Sequence, residues 1–184
     1  MGSWGITAFE SDTGLDAVNF IRENLPKDGK LELSDLIKKL QNDSWNKPPD
    51  VKEGVSHTSL MALAEMMVKF LDGEIKSMDY EVDTEENKFC SMDSFLASKD
   101  SISWIRSYLS DTLHYAIKNE PADALCGWKW GGWFEEKNWI GWQRHMKDLI
   151  SRLDELLALP GDSVELVPSK TQENSPTIKL SIEG

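Results

Sequence analysis

The stretch Asp100-Ser101-Ile102-Ser103-Trp104-Ile105-Arg106-Ser107-Tyr108-Leu109-Ser110-Asp111-Thr112-Leu113-His114-Tyr115-Ala116 is the clearest structural signal in this 184-residue chain. Ile102, Ile105, Leu109, Leu113 and Ala116 recur at three- and four-residue spacing, so they line one face of an α-helix. Trp104, Tyr108 and Tyr115 widen that stripe, which predicts a central helix ending before Pro121. Its period sets the expectation for the whole chain, a mainly α fold.

Moving outward, Trp142, Met146, Leu149, Ile150, Leu153 and Leu156 predict a last helix from about Asn138 to just before Pro160-Gly161. On the N-terminal side, a helix starts around Ser56 to Thr58 with Leu60, Leu63, Ala64, Met67, Phe70 and Leu71 on one face. Earlier still, Leu15, Val18, Ile21 and Leu25 follow Asp12 and Thr13. The Thr13-x-x-Asp16 spacing fits a capping box there, with Asp12 as the cap. Ser34 can cap a short helix carrying Leu36, Ile37 and Leu40, and Pro48-Pro49 mark a loop. Beyond residue 160 the period changes to two. Val164 and Leu166, then Ile178, Leu180 and Ile182, alternate with polar residues and predict a small C-terminal β-hairpin. The expected architecture is one domain over 1–184: a bundle of about five helices over 1–159, and a hairpin or extended tail over 160–184.

Composition restricts partners more than it names them. The net charge is −12, and the eight acids between Asp72 and Asp93 against two lysines supply half of it. Such a surface repels phosphate backbones and anionic lipids, which argues against nucleic acid and membrane and toward a basic protein partner. Solubility alone is the competing account. No apolar run is long enough to span a bilayer and no secretory signal is evident, so a cytoplasmic protein is expected. Cys90 and Cys126 lack any zinc spacing and are expected to be buried free thiols.

The opening Met1-Gly2-Ser3-Trp4-Gly5, followed by Phe9-Glu10-Ser11-Asp12 and Leu15-Asp16, resembles a bacterial family catalogued as domain of unknown function 4259. Its members open Met-Gly-x-Trp-Gly, continue with Phe-x-x-Asp and enter a helix. The resemblance covers about the first 25 residues and implies no catalytic residue. Gly14 replaces the alanine usual there, a change expected only to weaken the first helical turn. Physically, Trp4 and Phe9 are expected to fill the core between helices that the glycines let come close.

Three chemistries compete for the remaining signals. Glu81, Asp83, Glu85 and Glu86 form the heart of an acidic face suited to a basic partner. A concrete version is an immunity- or antitoxin-like protein whose acids mimic the anionic substrate of a basic toxin. Trp128, Trp130 and Trp133, set among Gly131, Gly132 and Lys129, could stack on sugars or cations if exposed, whereas Trp139 and Trp142 join the last helix's buried stripe. Finally, Cys126 with His114 or His145 could form a hydrolase nucleophile and base. An EF-hand beginning at Asp79 fails, because its sixth and twelfth positions are Thr84 and Cys90 rather than Gly and Glu. No metal or cofactor is called for, and a non-enzymatic binding protein is the leading expectation.

Overall fold

The computed structural model describes residues 3–79, 88–120, 128–129 and 134–168, with side chains described throughout except at 128–129 and 134–137. Five α-helices dominate: α1 (Asp12–Glu23), α2 (Leu33–Asn42), α3 (Ser59–Leu71), α4 (Lys99–Asn119) and α5 (Glu136–Ala158). β1 (Lys30–Glu32), β2 (Ser94–Ser98) and β5 (Ser163–Leu166) form a three-stranded sheet in the order β1-β2-β5. β3 (Trp128–Lys129) and β4 (Phe134–Glu135) pair as a two-residue antiparallel ribbon ahead of α5. The fold is mainly α, and no described helix is long and apolar enough to cross a membrane.

The central helix is α3 rather than α4. Every residue from Ser59 to Met67 is buried, because this segment is apolar on nearly every side, Ser59 and Glu65 apart, and must be wrapped by neighbours. α4 instead buries the single stripe Ile102, Ile105, Leu109, Leu113 and Ala116, leaving Trp104 exposed at its margin. α5 lies antiparallel along α4. Arg106 makes a two-pronged contact to Asp154 at 2.9 and 3.1 Å, and Lys99 donates to the carbonyls of Leu157 and Leu159 at the end of α5. Trp139 and Trp142 stack with ring centroids 5.6 Å apart and are fully buried with Met146, Leu149, Leu153 and Leu156.

The C-terminal strand joins a sheet that its own pattern does not announce. Val164 and Leu166 do point inward, but β5 pairs antiparallel with β2, Phe95 facing Leu166 and Ala97 facing Val164. The other predicted arm, 178–182, lies outside the described residues. β2 also pairs in parallel with β1 through Leu31 and Phe95, a long-range partnership that no local pattern announces. Ser34 does not cap α2, which already begins at Leu33.

The N-terminal motif is built around close backbone approach. Ser11, not Asp12, caps α1. Its hydroxyl accepts the Gly14 N–H at 3.0 Å and donates to the Ala8 carbonyl at 2.9 Å. Glu10 folds back so that its carboxylate accepts the N–H groups of Ile6 and Thr7 and the Thr7 hydroxyl. The Thr7 N–H, first among these, holds that carboxyl below its usual range. A Cβ on Gly5 would lie 2.4 Å from the Glu10 Oε2. Phe9 packs half-buried against the core, but Trp4 does not fill it, being 58% exposed.

Gly14 is therefore a requirement of packing and not a weak point. A Cβ there would sit 1.8 Å from the Ala8 carbonyl oxygen, which is backbone and cannot swing aside. Helix propensity favours alanine by about 1 kcal/mol, and this clash outweighs it. Gly14→Ala is expected to destabilise by about 2 kcal/mol in urea unfolding, and a stabilised variant would contradict the tight approach of α1 to residues 8–11.

Candidate functional site

An open cleft lies where the loop after α2 crosses α1 and the start of α3. The loop is held at every turn. The Asp43 carboxylate accepts the N–H of Asn46 at 2.6 Å and of Trp45 at 3.0 Å, and the Asn46 bond leads in keeping that carboxyl below its ordinary value. Tyr108 and Tyr115 of α4 donate their hydroxyls to the carbonyls of Pro49 and Lys52 at 2.8 and 3.2 Å. Asp50 and Glu53 cap a short 3-10 turn, Asp50 accepting from the Lys52 N–H at 2.8 Å and Glu53 from the Asp50 N–H at 3.1 Å. Proline at 48 and 49 restricts the backbone further.

This frame encloses a cleft of about 750 Å³, the size of a small-ligand or side-chain site. Trp45 stands in it 71% exposed, its indole N–H donated to Asp16 at 3.2 Å. The other charged side chains on the wall are Asp50, Glu53 and Lys47, so three carboxylates face one ammonium. Their field is felt nearby. Burial raises the Tyr108 phenol above its ordinary range, and the charges of Glu53 and Asp50 push it the same way. An exposed tryptophan ring in an acidic, rigid concavity can stack on a cation or a flat polar group.

A second polar assembly joins the N-terminal motif to α3 and α5. Glu65, buried on α3, accepts the Ala8 N–H through both oxygens at 2.8 and 3.0 Å. The same carboxyl meets His145 Nε2 of α5 at 2.6 Å, with His145 partly open to solvent. Close by, His57 is buried and hydrogen-bonded through Nδ1 to the Ser56 hydroxyl at 2.8 Å. Its burial pushes its pKa down to about 4.

The His57 shift has a definite sign. Below about pH 6.5 the unfolded chain protonates this histidine while the folded chain does not, so stability falls as pH drops toward 4. From pH 7 to 4.5 the loss attributable to His57 is expected to be about 2 kcal/mol in denaturant titrations. A His57→Gln background should show a flatter slope over that interval, and an unchanged slope would locate the loss elsewhere.

The sequence-predicted site residues fare unevenly. Glu81, Asp83, Glu85, Glu86, Trp130 and Trp133 lie outside the described residues, as does the side chain of Trp128, whose backbone forms β3. The described acids ahead of that run are engaged within the fold. Asp72 pairs with Arg152 at 2.7 Å and Glu74 with Lys69 at 3.7 Å, while Asp79 accepts the N–H groups of Phe89 and Cys90 and lies 3.9 Å from Arg22. Cys90 is exposed rather than buried, and local desolvation followed by the neighbouring Asp79 raises its thiol. Cys126 lies outside the described residues, His114 is exposed on α4, and His145 engages Glu65. Sequence patterns missed the Trp45 cleft, although a tryptophan two residues before Lys47-Pro48-Pro49-Asp50 was a usable cue. Among the described residues, no three His, Cys, Asp or Glu side chains gather as a metal site. Comparison of the chain with protein-family models, curated proteins and solved structures finds no match in any of the three.

Proposed function

We propose that this chain is a non-enzymatic acidic binding protein whose partner is a basic protein. Its concrete form is an immunity- or antitoxin-like role in the cytoplasm, covering a basic toxin surface. On residues 1–25 we assign it to the domain of unknown function 4259 family that its opening resembles. The observation that supports this reading is the charge of the Trp45 cleft, where Asp16, Asp50 and Glu53 outnumber Lys47 around an exposed Trp45. Together with the net charge of −12, such a surface steers basic proteins inward and weakens as salt screens it.

Affinity capture from the native host's lysate at low and high salt tests the reading and supplies the partner. A basic protein retained at low salt and weakened at high salt is the expected result. Reversing Glu81, Asp83, Glu85 and Glu86 to lysine should then lower affinity for that partner. Unchanged affinity would remove this run from the binding face. A thiol-reactive probe on a Cys90→Ser background separates binding from a Cys126-based hydrolase, since a catalytic thiol labels fast at neutral pH.

A further inference from the structure

The geometry points to the Trp45 cleft as the anchor pocket for an arginine side chain of the basic partner, its guanidinium lying on the indole and its N–H groups donated to the cleft's carboxylates. The inference rests on the basic-partner reading and adds where and by what chemistry contact is made. Trp45 is the most exposed large apolar side chain among the described residues, and leaving such a ring in water gains nothing unless something covers it. Its loop is prepaid in order, pinned by Asp43, the two tyrosine hydroxyls and the Asp50–Glu53 cap, so little freedom is lost on binding. The sign of the occupant follows from the three carboxylates against Lys47.

Guanidinium suits this wall better than ammonium. It is flat, so it can cover the indole face, and it carries five donors in a fork that carboxylates on two sides can share. Asp16 is engaged by the indole N–H, which fixes the ring, while Asp50 and Glu53 are held in place by their cap bonds and remain exposed, with carboxylate lone pairs left to accept from a ligand. A tryptophan facing an arginine in a rimmed concavity is the usual composition of an interface anchor.

The test uses the full chain with acetylated tetra-arginine and tetra-lysine peptides and cellotetraose as probes. Binding is read by calorimetry and by NMR of the Trp45 indole N–H, assigned through Trp45→Phe. Tetra-arginine is expected to shift the Trp45 signal, and Trp45→Ala to weaken that peptide about tenfold, while Trp45→Phe stays within about threefold. Tetra-lysine should bind more weakly and depend less on Trp45. Equal tetra-arginine affinity for Trp45→Ala and wild type would overturn the cleft, and if that binding is still salt-sensitive the basic-partner reading survives without it. Failure of both peptides to bind at low ionic strength would remove both. A Trp45 shift with cellotetraose but not with tetra-arginine, or equal Trp45-dependent binding of both peptides, would overturn the guanidinium assignment.

Discussion

Trp142→Ala is expected to lower stability by about 3–5 kcal/mol, equivalent to roughly 10 °C in melting temperature for a chain of this size. The indole is completely buried on α5 and stacked against Trp139, so truncation leaves a large void between α5 and its neighbours. Both rings sit on rigid helix, and α5 is tied to α4 through Arg106–Asp154, which limits how far the walls can collapse into the space. Trp142→Phe keeps part of the ring contact and should cost about half as much. Loss of less than about 1 kcal/mol in the alanine variant would be incompatible with a fully enclosed ring at this position.

Glu65→Ala should cost about 3 kcal/mol by a different route. Here the void is small and the damage is polar. The Ala8 N–H loses the carboxyl that accepts it, at 2.8 and 3.0 Å, and His145 loses its 2.6 Å partner. An abandoned buried donor carries most of the cost. Glu65→Gln retains one oxygen and should recover about half of the loss. Hydrogen exchange gives an independent readout, because the Ala8 amide should lose protection in Glu65→Ala and keep it in His145→Ala. If Ala8 exchange were the same in Glu65→Ala as in wild type, the carboxyl would not be what secures the N-terminal turn.

Much of the fold can be read directly from local pattern. α4 and α5 follow from apolar stripes of period 3.6, and the stacked pair Trp139 and Trp142 follows from their three-residue spacing. α3 starts at its Thr58 cap as the pattern indicates, the threonine hydroxyl accepting from the Met61 N–H. Local pattern fails where a partner is remote. β1 and β2 are short and carry no repeating signal, yet each is stabilised by pairing across some sixty residues of chain. Gly14 appears in sequence as a defect of helix propensity, and only the Ala8 carbonyl lying over it shows why glycine is needed. Trp4 appears as an anchor by composition and is mostly exposed.

The candidate site divides in the same way. The charge of −12 and the tryptophan count are properties of composition, and the charge alone repels phosphate backbones and anionic lipids. Which carboxylates surround which ring is a property of three segments meeting in space, α1 with Asp16, the loop with Trp45 and Asp50, and the start of α3. Sequence by itself determined the helices and the sign of the surface, because both arise from side chains within a few residues of one another or from a sum over all of them. Only the tertiary structure decided the sheet, the buried Glu65–His145 contact and the Trp45 cleft, because each joins groups whose proximity is set by the packing of the whole chain and by no local rule.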